Sequence, residues 1–289
     1  VNSAARPRRF LDLWVALIRP FAGEERARNA VGYAYAVTTL LVYSLHTQHG
    51  RAFLGLLWAL LVPLLFIAVY VPVMSAFGPM EGVDHIIGQG SLAFPVYVVV
   101  GFVTWNAFAG GLQNAAASLV NNASVVHHSP IPLSILPLVK VLNGMVSWIL
   151  AVGIMLVFLA SVGRFPGIRI LIFPVLLVLF TLFAQGLALL LSSLSVVFRD
   201  LLQMIQTVLM IEFFAVPLLY VPETLPEKFQ LVVKLNPLTP FMNLTHAMFI
   251  REHPVGWDDL GLATAWAVGI YLLGSFVFNR LKGILPDHV

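Results

Sequence analysis

Two ionisable side chains stand inside otherwise uncharged apolar runs of this chain: Glu212, near the middle of residues 201–221, and Lys140, close to the start of residues 134–160. An acid at the centre of a membrane helix is unfavourable by about 2.5–3.5 kcal/mol. Glu212 therefore has to face a helix bundle or a wet cavity, either as an acid at a pore or dimer interface or as a hydrogen-bonded structural group. Coupled proton or ion transport generally uses longer relays of such groups, and there is no inverted repeat of broken helices.

The remaining chemistry is aromatic. Trp58, Phe66, Tyr70, Tyr97, Trp105, Phe108, Phe213, Phe214 and Tyr220 all fall on apolar runs. Rings of this kind form interfacial belts and lipid contacts. They can equally line a path for a ligand with C–H faces, such as a sugar, that must slide without a fixed hydrogen-bond pattern. His127 and His128 are adjacent with no third ligand nearby, so they read as polar loop residues and not as a metal site. No G-x-x-x-x-G-K-[ST], H-E-x-x-H or G-x-S-x-G run occurs, and the chain has no cysteine for thiolate metal centres or disulfides. The economical reading is a pore-forming, non-catalytic subunit powered from outside itself.

The elements that must position these residues are helices in a membrane. The chain is 60% hydrophobic and only 10% charged, against about 25% charged for soluble domains, and its mean hydropathy is +0.93. Leu54 to Phe77 is 24 residues without a charge, longer than the roughly 20 needed to cross the hydrocarbon. Its internal Pro63 and Pro72 are tolerable where neighbouring helices re-satisfy the freed carbonyls. Five further spans are expected at about 92–118, 134–160, 170–197, 201–221 and 257–279. Between the last two, Glu227–Leu235 and Phe241–Ile250 read as a pair of short re-entrant helices broken at Asn236-Pro237-Leu238-Thr239-Pro240.

Residues 1–30 form an Arg-rich arm, with no apolar run and cleavage site of the kind that marks a signal peptide. Residues 31–45 are apolar for only 15 positions and carry Tyr33, Tyr35 and Tyr43, which suits a helix lying in the headgroup region. With the N-terminus inside, eleven Lys and Arg fall on inner segments and five on outer ones, as the positive-inside bias requires. Making residues 31–45 a span would reverse that bias. The expected fold is an all-α integral membrane protein: six transmembrane helices, an N-terminal amphipathic interfacial helix, and re-entrant extracytoplasmic helices between spans 5 and 6. Residues 1–50 form the cytoplasmic arm and interfacial helix, and residues 51–289 the six-span domain, with both termini cytoplasmic.

Three stretches carry a family resemblance. They are Arg51…Leu54-Gly55-x-x-Trp58…Pro63 with Tyr70, then Phe198-Arg199-Asp200 followed by Pro217-x-x-Tyr220, and Leu235-Asn236-Pro237. In order and spacing they resemble the transmembrane permease subunits of type-2 ABC exporters for O-antigen, teichoic acid or capsule chains, over about residues 45–280. Two departures are Ile131-Pro132-Leu133-Ser134, where relatives commonly have an aromatic-Pro-Arg-Glu run, and His49-Gly50, where many have a Tyr-Arg pair. Both bear on the substrate subclass.

The resemblance implies half of a homodimeric pore in the bacterial cytoplasmic (inner) membrane, paired with two ATP-binding subunits that hold the ATP and Mg²⁺. The cargo would be a polyprenyl-pyrophosphate-linked polysaccharide, with membrane lipid as the surroundings and no nucleic acid involved. It implies a path lined by Trp58, Tyr70, Tyr97, Trp105, Phe108, Phe213, Phe214 and Tyr220, with Glu212 as its acid. Coupling to the ATPase would involve Arg51, His127, His128, Arg199 and Asp200, the last capping the fifth span. Asn236 and Pro237 would shape the extracytoplasmic turn. The alternatives are an ABC-2 type exporter of drugs or lipids, and a membrane-embedded glycosyltransferase. The latter needs clustered catalytic groups and a large polar loop, and residues 222–256 are too short and too apolar for that.

Overall fold

The computed structural model describes residues 24–50, 84–87, 92–128 and 131–285, with seven further positions between 61 and 76. Arg51, Trp58 and Tyr70, and with them nearly all of the expected first span, lie outside the described residues. Among those described, every regular element is helical. In chain order they are α1 (Glu24–Gly50), α2 (Asp84–Ile87), α3 (Ala93–Ala116), α4 (Ala123–His128), α5 (Ile135–Ser161), α6 (Ile172–Val197), α7 (Leu201–Ala215), α8 (Glu227–Leu235), α9 (Thr239–Phe249) and α10 (Trp257–Leu281). Four are long and apolar enough to cross a membrane: α3, α5, α6 with the 3₁₀ turn Gly167–Leu171 ahead of it, and α10.

Proline punctuates these helices where it does least harm. Pro95, Pro137, Pro174 and Pro240 all stand in the first turn of their helix, where the missing N–H has no intrahelical acceptor to lose. At the end of α5, Gly163 takes a left-handed φ of 73°. That turn lets the Arg164 N–H reach back to the Leu159 carbonyl at 2.8 Å and closes the helix.

α1 runs over 27 residues, well beyond the expected 31–45, yet it does not join the helices apolar enough to span. Its Val37 packs on Ile135 and Val139, so it lies along the beginning of α5. α7 differs from the expected fifth span. It ends at Ala215 instead of continuing to 221, because Val216 turns extended (ψ 151°) ahead of Pro217, which disfavours helix at the residue before it and cannot donate to the ladder.

Glycine sets the closest crossings. A Cβ on Gly274 of α10 would fall on the Gly186 carbonyl of α6, and one on Gly144 of α5 would lie 2.6 Å from the Ala107 carbonyl oxygen of α3. Both pairs touch backbone to backbone, the way small residues let membrane helices approach. Between them the core fills with rings. Phe108 stacks on Phe180 and Phe183 at 5.4 and 5.9 Å, and both of those lean on Phe241. Trp148 is fully buried and donates its indole N–H to Thr104 at 3.1 Å, tying α5 to α3.

One end of the bundle is capped by α9. Arg169 donates to the carbonyls of Ala247, Ile250 and His253 at 2.7–3.2 Å. His246 stacks on the Tyr97 ring at 3.8 Å, with its Nε2 3.1 Å from the Tyr97 carbonyl. At the other end, Leu119 and Val126 pack with Val196 of α6, Phe278 of α10 and Leu285. The loop after α3, the end of α6 and the end of α10 thus share one end.

Candidate functional site

Between α3 and α7 runs a groove of about 570 Å³. From α3 come Trp105, Asn106, Ala109, Gly110 and Gln113, and from α7 come Gln206, Leu209, Met210, Phe213 and Phe214. Both sets repeat at helical i, i+4, i+8 spacing, so each helix presents one continuous stripe. Phe213 meets Trp105 edge-on at 6.0 Å and Phe102 at 6.2 Å, and Phe214 stands perpendicular to Phe213 at 5.1 Å. Aromatic rings beside side-chain amides give the groove apolar faces and hydrogen-bonding groups together, a lining suited to sugars.

Three of the residues singled out from sequence, Trp105, Phe213 and Phe214, thus come together. Two others do not. Tyr97 is wholly buried, with its hydroxyl shared between the carbonyls of Pro217 and Tyr220 at 3.2 Å, and Phe108 is enclosed by Phe180 and Phe183. Both are core side chains with no surface to offer a path. Position on an apolar helix does not distinguish the face turned inward from the one turned to a groove. Asn106, Gln113 and Gln206 were missed for the opposite reason: single amides scattered through the sequence align only once α3 and α7 are side by side.

Glu212 lies in the last turn of α7, not in the middle of a span, because the helix stops three residues later. Its carboxylate accepts a hydrogen bond from the Asn236 side chain. The Asn236 Oδ1 in turn accepts the Leu238 N–H at 2.8 Å, an Asx turn that leads into α9. The Leu235-Asn236-Pro237 stretch therefore does two local things: it turns the chain between α8 and α9, and it holds the acid. Tyr220 folds back over the end of α7, donating to the Ala215 carbonyl at 2.8 Å. Its phenol is pushed above the usual range by burial and then by the Glu212 carboxylate.

Of the coupling residues expected from sequence, His127, His128, Arg199 and Asp200 are described, and they lie toward the opposite end from α9. Exposed His127 and the backbone of His128 belong to α4, which follows the segment packed on the ends of α6 and α10. Arg199 and Asp200 are exposed on the turn from α6 to α7. Asp200 occupies the position before α7 but makes no side-chain capping bond and is itself helical in φ and ψ (−65°, −19°). A capping side chain needs an extended backbone to fold over the first N–H groups, so the expected cap is absent.

A family model described as ABC-2 type transporter matches residues 35–250. The chain belongs to that family. It is similar to the O-antigen export system permease protein RfbA of Myxococcus xanthus, 25% identical over 264 residues that cover 91% of this chain and 98% of that protein. It is similar also to the RfbA permease of Klebsiella pneumoniae, 23% identical over 254 residues covering 87% and 94%. The match to the ABC-2 family spans α3 to α9 and includes both walls of the groove.

Proposed function

We propose that the chain is the membrane-spanning subunit of an ABC exporter that moves a polyprenyl-linked polysaccharide, O-antigen or a similar surface glycan, out across the bacterial cytoplasmic membrane. The observation that carries this reading is the near full-length similarity to O-antigen export permeases, and the ring-and-amide groove between α3 and α7 accords with it. The chain works as a homodimer whose groove faces the partner copy, with two separate ATPase subunits supplying ATP and Mg²⁺. Six spans cross the membrane, α1 lies at the inner surface, α8 and α9 re-enter from outside, and both termini are cytoplasmic. Residues 1–50 are the arm and interfacial helix, and 51–289 the span domain. Arg51, His127, His128, Arg199 and Asp200 belong to the ATPase-facing end, and Glu212 lies toward the outer end of the path.

Deleting this chain in cells that retain the ATPase should abolish surface polysaccharide and leave the lipid-linked polymer on the cytoplasmic side. Undiminished surface polymer would overturn the proposal. The purified chain alone should hydrolyse no ATP above background. Asn29→Cys and Gln48→Cys, introduced into this cysteine-free sequence, should both label from the cytoplasm; labelling from opposite faces would make α1 a seventh span.

A further inference from the structure

Beside the groove, on the adjoining stripe of α3, lies a second cleft of about 370 Å³ enclosed by α1, α3 and α5. Its lining is unlike the rest of the molecule. Ser44 and Thr47 of α1, Asn106 and Asn114 of α3, and Lys140, Asn143 and Ser147 of α5 all border it, and among the described residues no acidic side chain does. Lys140 is the single charged residue among the described residues of the lining. Its ammonium donates to Ser44 Oγ at 3.2 Å, and Asn143 Nδ2 donates to the same oxygen at 2.7 Å. Both lone pairs of Ser44 Oγ are thereby engaged and its own O–H is left to donate. The ammonium keeps two further donors, and the Asn106 and Asn114 amides each use one N–H on their own helix, at Phe102 and Gly110.

The depth of the cleft matters as much as its composition. At about 1.5 Å per residue, Lys140 stands about 7.5 Å and Ser147 about 18 Å into α5, while Asn114 is two residues from the end of α3. The lining thus extends from near the end of the bundle where α3 finishes and α5 begins inward along both helices. A lining that is rich in donors and cationic, has no carboxylate among the described residues and begins near the end of the spans is complementary to an acceptor-only anion attached to a lipid.

The geometry points to this cleft as a binding site for the phosphate-bearing headgroup of a lipid, with Lys140 as its charge and the Asn106, Asn114 and Ser44 donors around it. On the export reading, which this inference rests on for its physiological ligand, the headgroup is the diphosphate of the polymer's polyprenyl carrier. The chain would then be held by its charged end while the sugars occupy the adjoining groove, since Asn106 and Gly110 border both cavities. An ordinary anionic phospholipid carries the same chemistry and is the other source to be distinguished.

The test uses the chain with its ATPase partner in nanodiscs of phosphatidylcholine and a photoactivatable farnesyl diphosphate as probe. Crosslinks should map to residues 44–47, 106–114 and 140–147. Unlabelled farnesyl diphosphate should compete and farnesol should not. Lys140→Gln should weaken binding at least tenfold, while Lys140→Arg stays within threefold of the parent, separating charge from fold. Asn114→Asp, an exposed near-isostere, places a carboxylate in the cleft and should weaken binding to a similar extent. Labelling that is indifferent to both Lys140→Gln and Asn114→Asp would overturn the site. Competition by phosphatidylglycerol as strong as by farnesyl diphosphate would support the site and assign it to bulk lipid. If no phosphate lipid labels the cleft while wild-type export continues, the site fails and the exporter stands. If Lys140-dependent labelling persists in a system that exports no polymer, the exporter reading fails and the site stands.

Discussion

α9 and α7 are short apolar helices of 11 and 15 residues, and they make opposite use of similar material. α9 buries every residue except Asn243, whereas α7 buries only Ile205. α9 is wedged beneath Tyr97, Phe180 and Phe183 and pinned by Arg169, so nearly its whole surface is covered within the chain. α7 touches α3 along one stripe and leaves Met210, Ile211 and Phe214 more than 60% exposed. Hydropathy does not separate the two; neighbours do. One helix is part of a finished core, and the other presents an apolar face that the described residues leave uncovered, as a face toward lipid or a second copy of the chain would be.

The sharpest way to break the contrast is Arg169→Ala. It removes the guanidinium from three carbonyls, of which Ile250 keeps the His253 N–H at 3.2 Å while Ala247 and His253 are stranded, and an unpaired buried group is unfavourable by about 1–3 kcal/mol. Thermal unfolding in detergent should show a loss of about 4 kcal/mol, with protection of the α9 amides from hydrogen exchange falling first. Unchanged protection would mean that Arg169 does not hold the cap.

Acid should attack the same place. Burial and then the nearby Arg169 charge bring His253 down to about 4, and His246 is held well below the ordinary histidine range by burial and then His253. Arg169 is the charged group facing this pair from outside α9 and its following loop. The unfolded chain binds protons that the folded one refuses, so stability is complete above the unfolded value near 6.5 and is lost as pH falls toward 4. At about 1.36 kcal/mol per unit, His253 alone accounts for roughly 3 kcal/mol over that window. His253→Gln should flatten the slope measured by chemical denaturation between pH 4 and 7, and an unaltered slope would reassign it.

Gly274→Ala probes the frame that both helices rest on. The added methyl falls on the Gly186 carbonyl, so α6 and α10 must separate, at a cost of about 1–3 kcal/mol. Gly110→Ala, with nothing within 4 Å of the new Cβ, is the control and should leave the melting temperature unchanged. Smallest in stability is Met210→Gln on α7, expected to move the isolated chain by less than about 0.5 kcal/mol. If the α7 face meets a second copy, the same change should lower the dimer fraction in size-exclusion measurements, and equal dimer fractions would leave that face to lipid.

Much of the frame was legible in the residues. The limits of α3, α5, α6 and α10 follow from where apolar runs meet proline, glycine and charge, and α8 matches the expected Glu227–Leu235 because Pro226 and Asn236-Pro237 bracket it. The end of α7 was missed because apolar composition continues to Val221 while the backbone obeys Pro217. The groove was half legible: Trp105, Phe213 and Phe214 are conspicuous as rings, but Tyr97 and Phe108 look identical in sequence and are core.

By itself the sequence determined that this chain lives in a membrane and where α3, α5, α6 and α10 begin, because these depend on local composition and on backbone rules acting over a few residues. Tertiary structure alone decided which rings are core and which line a groove. It also decided that Asn236 would meet Glu212, and that Ser44, Asn114 and Lys140 would share one cleft. Those outcomes depend on where helices cross, and the crossings are set by single glycines such as Gly144 and Gly186 whose effect reaches residues far away along the chain.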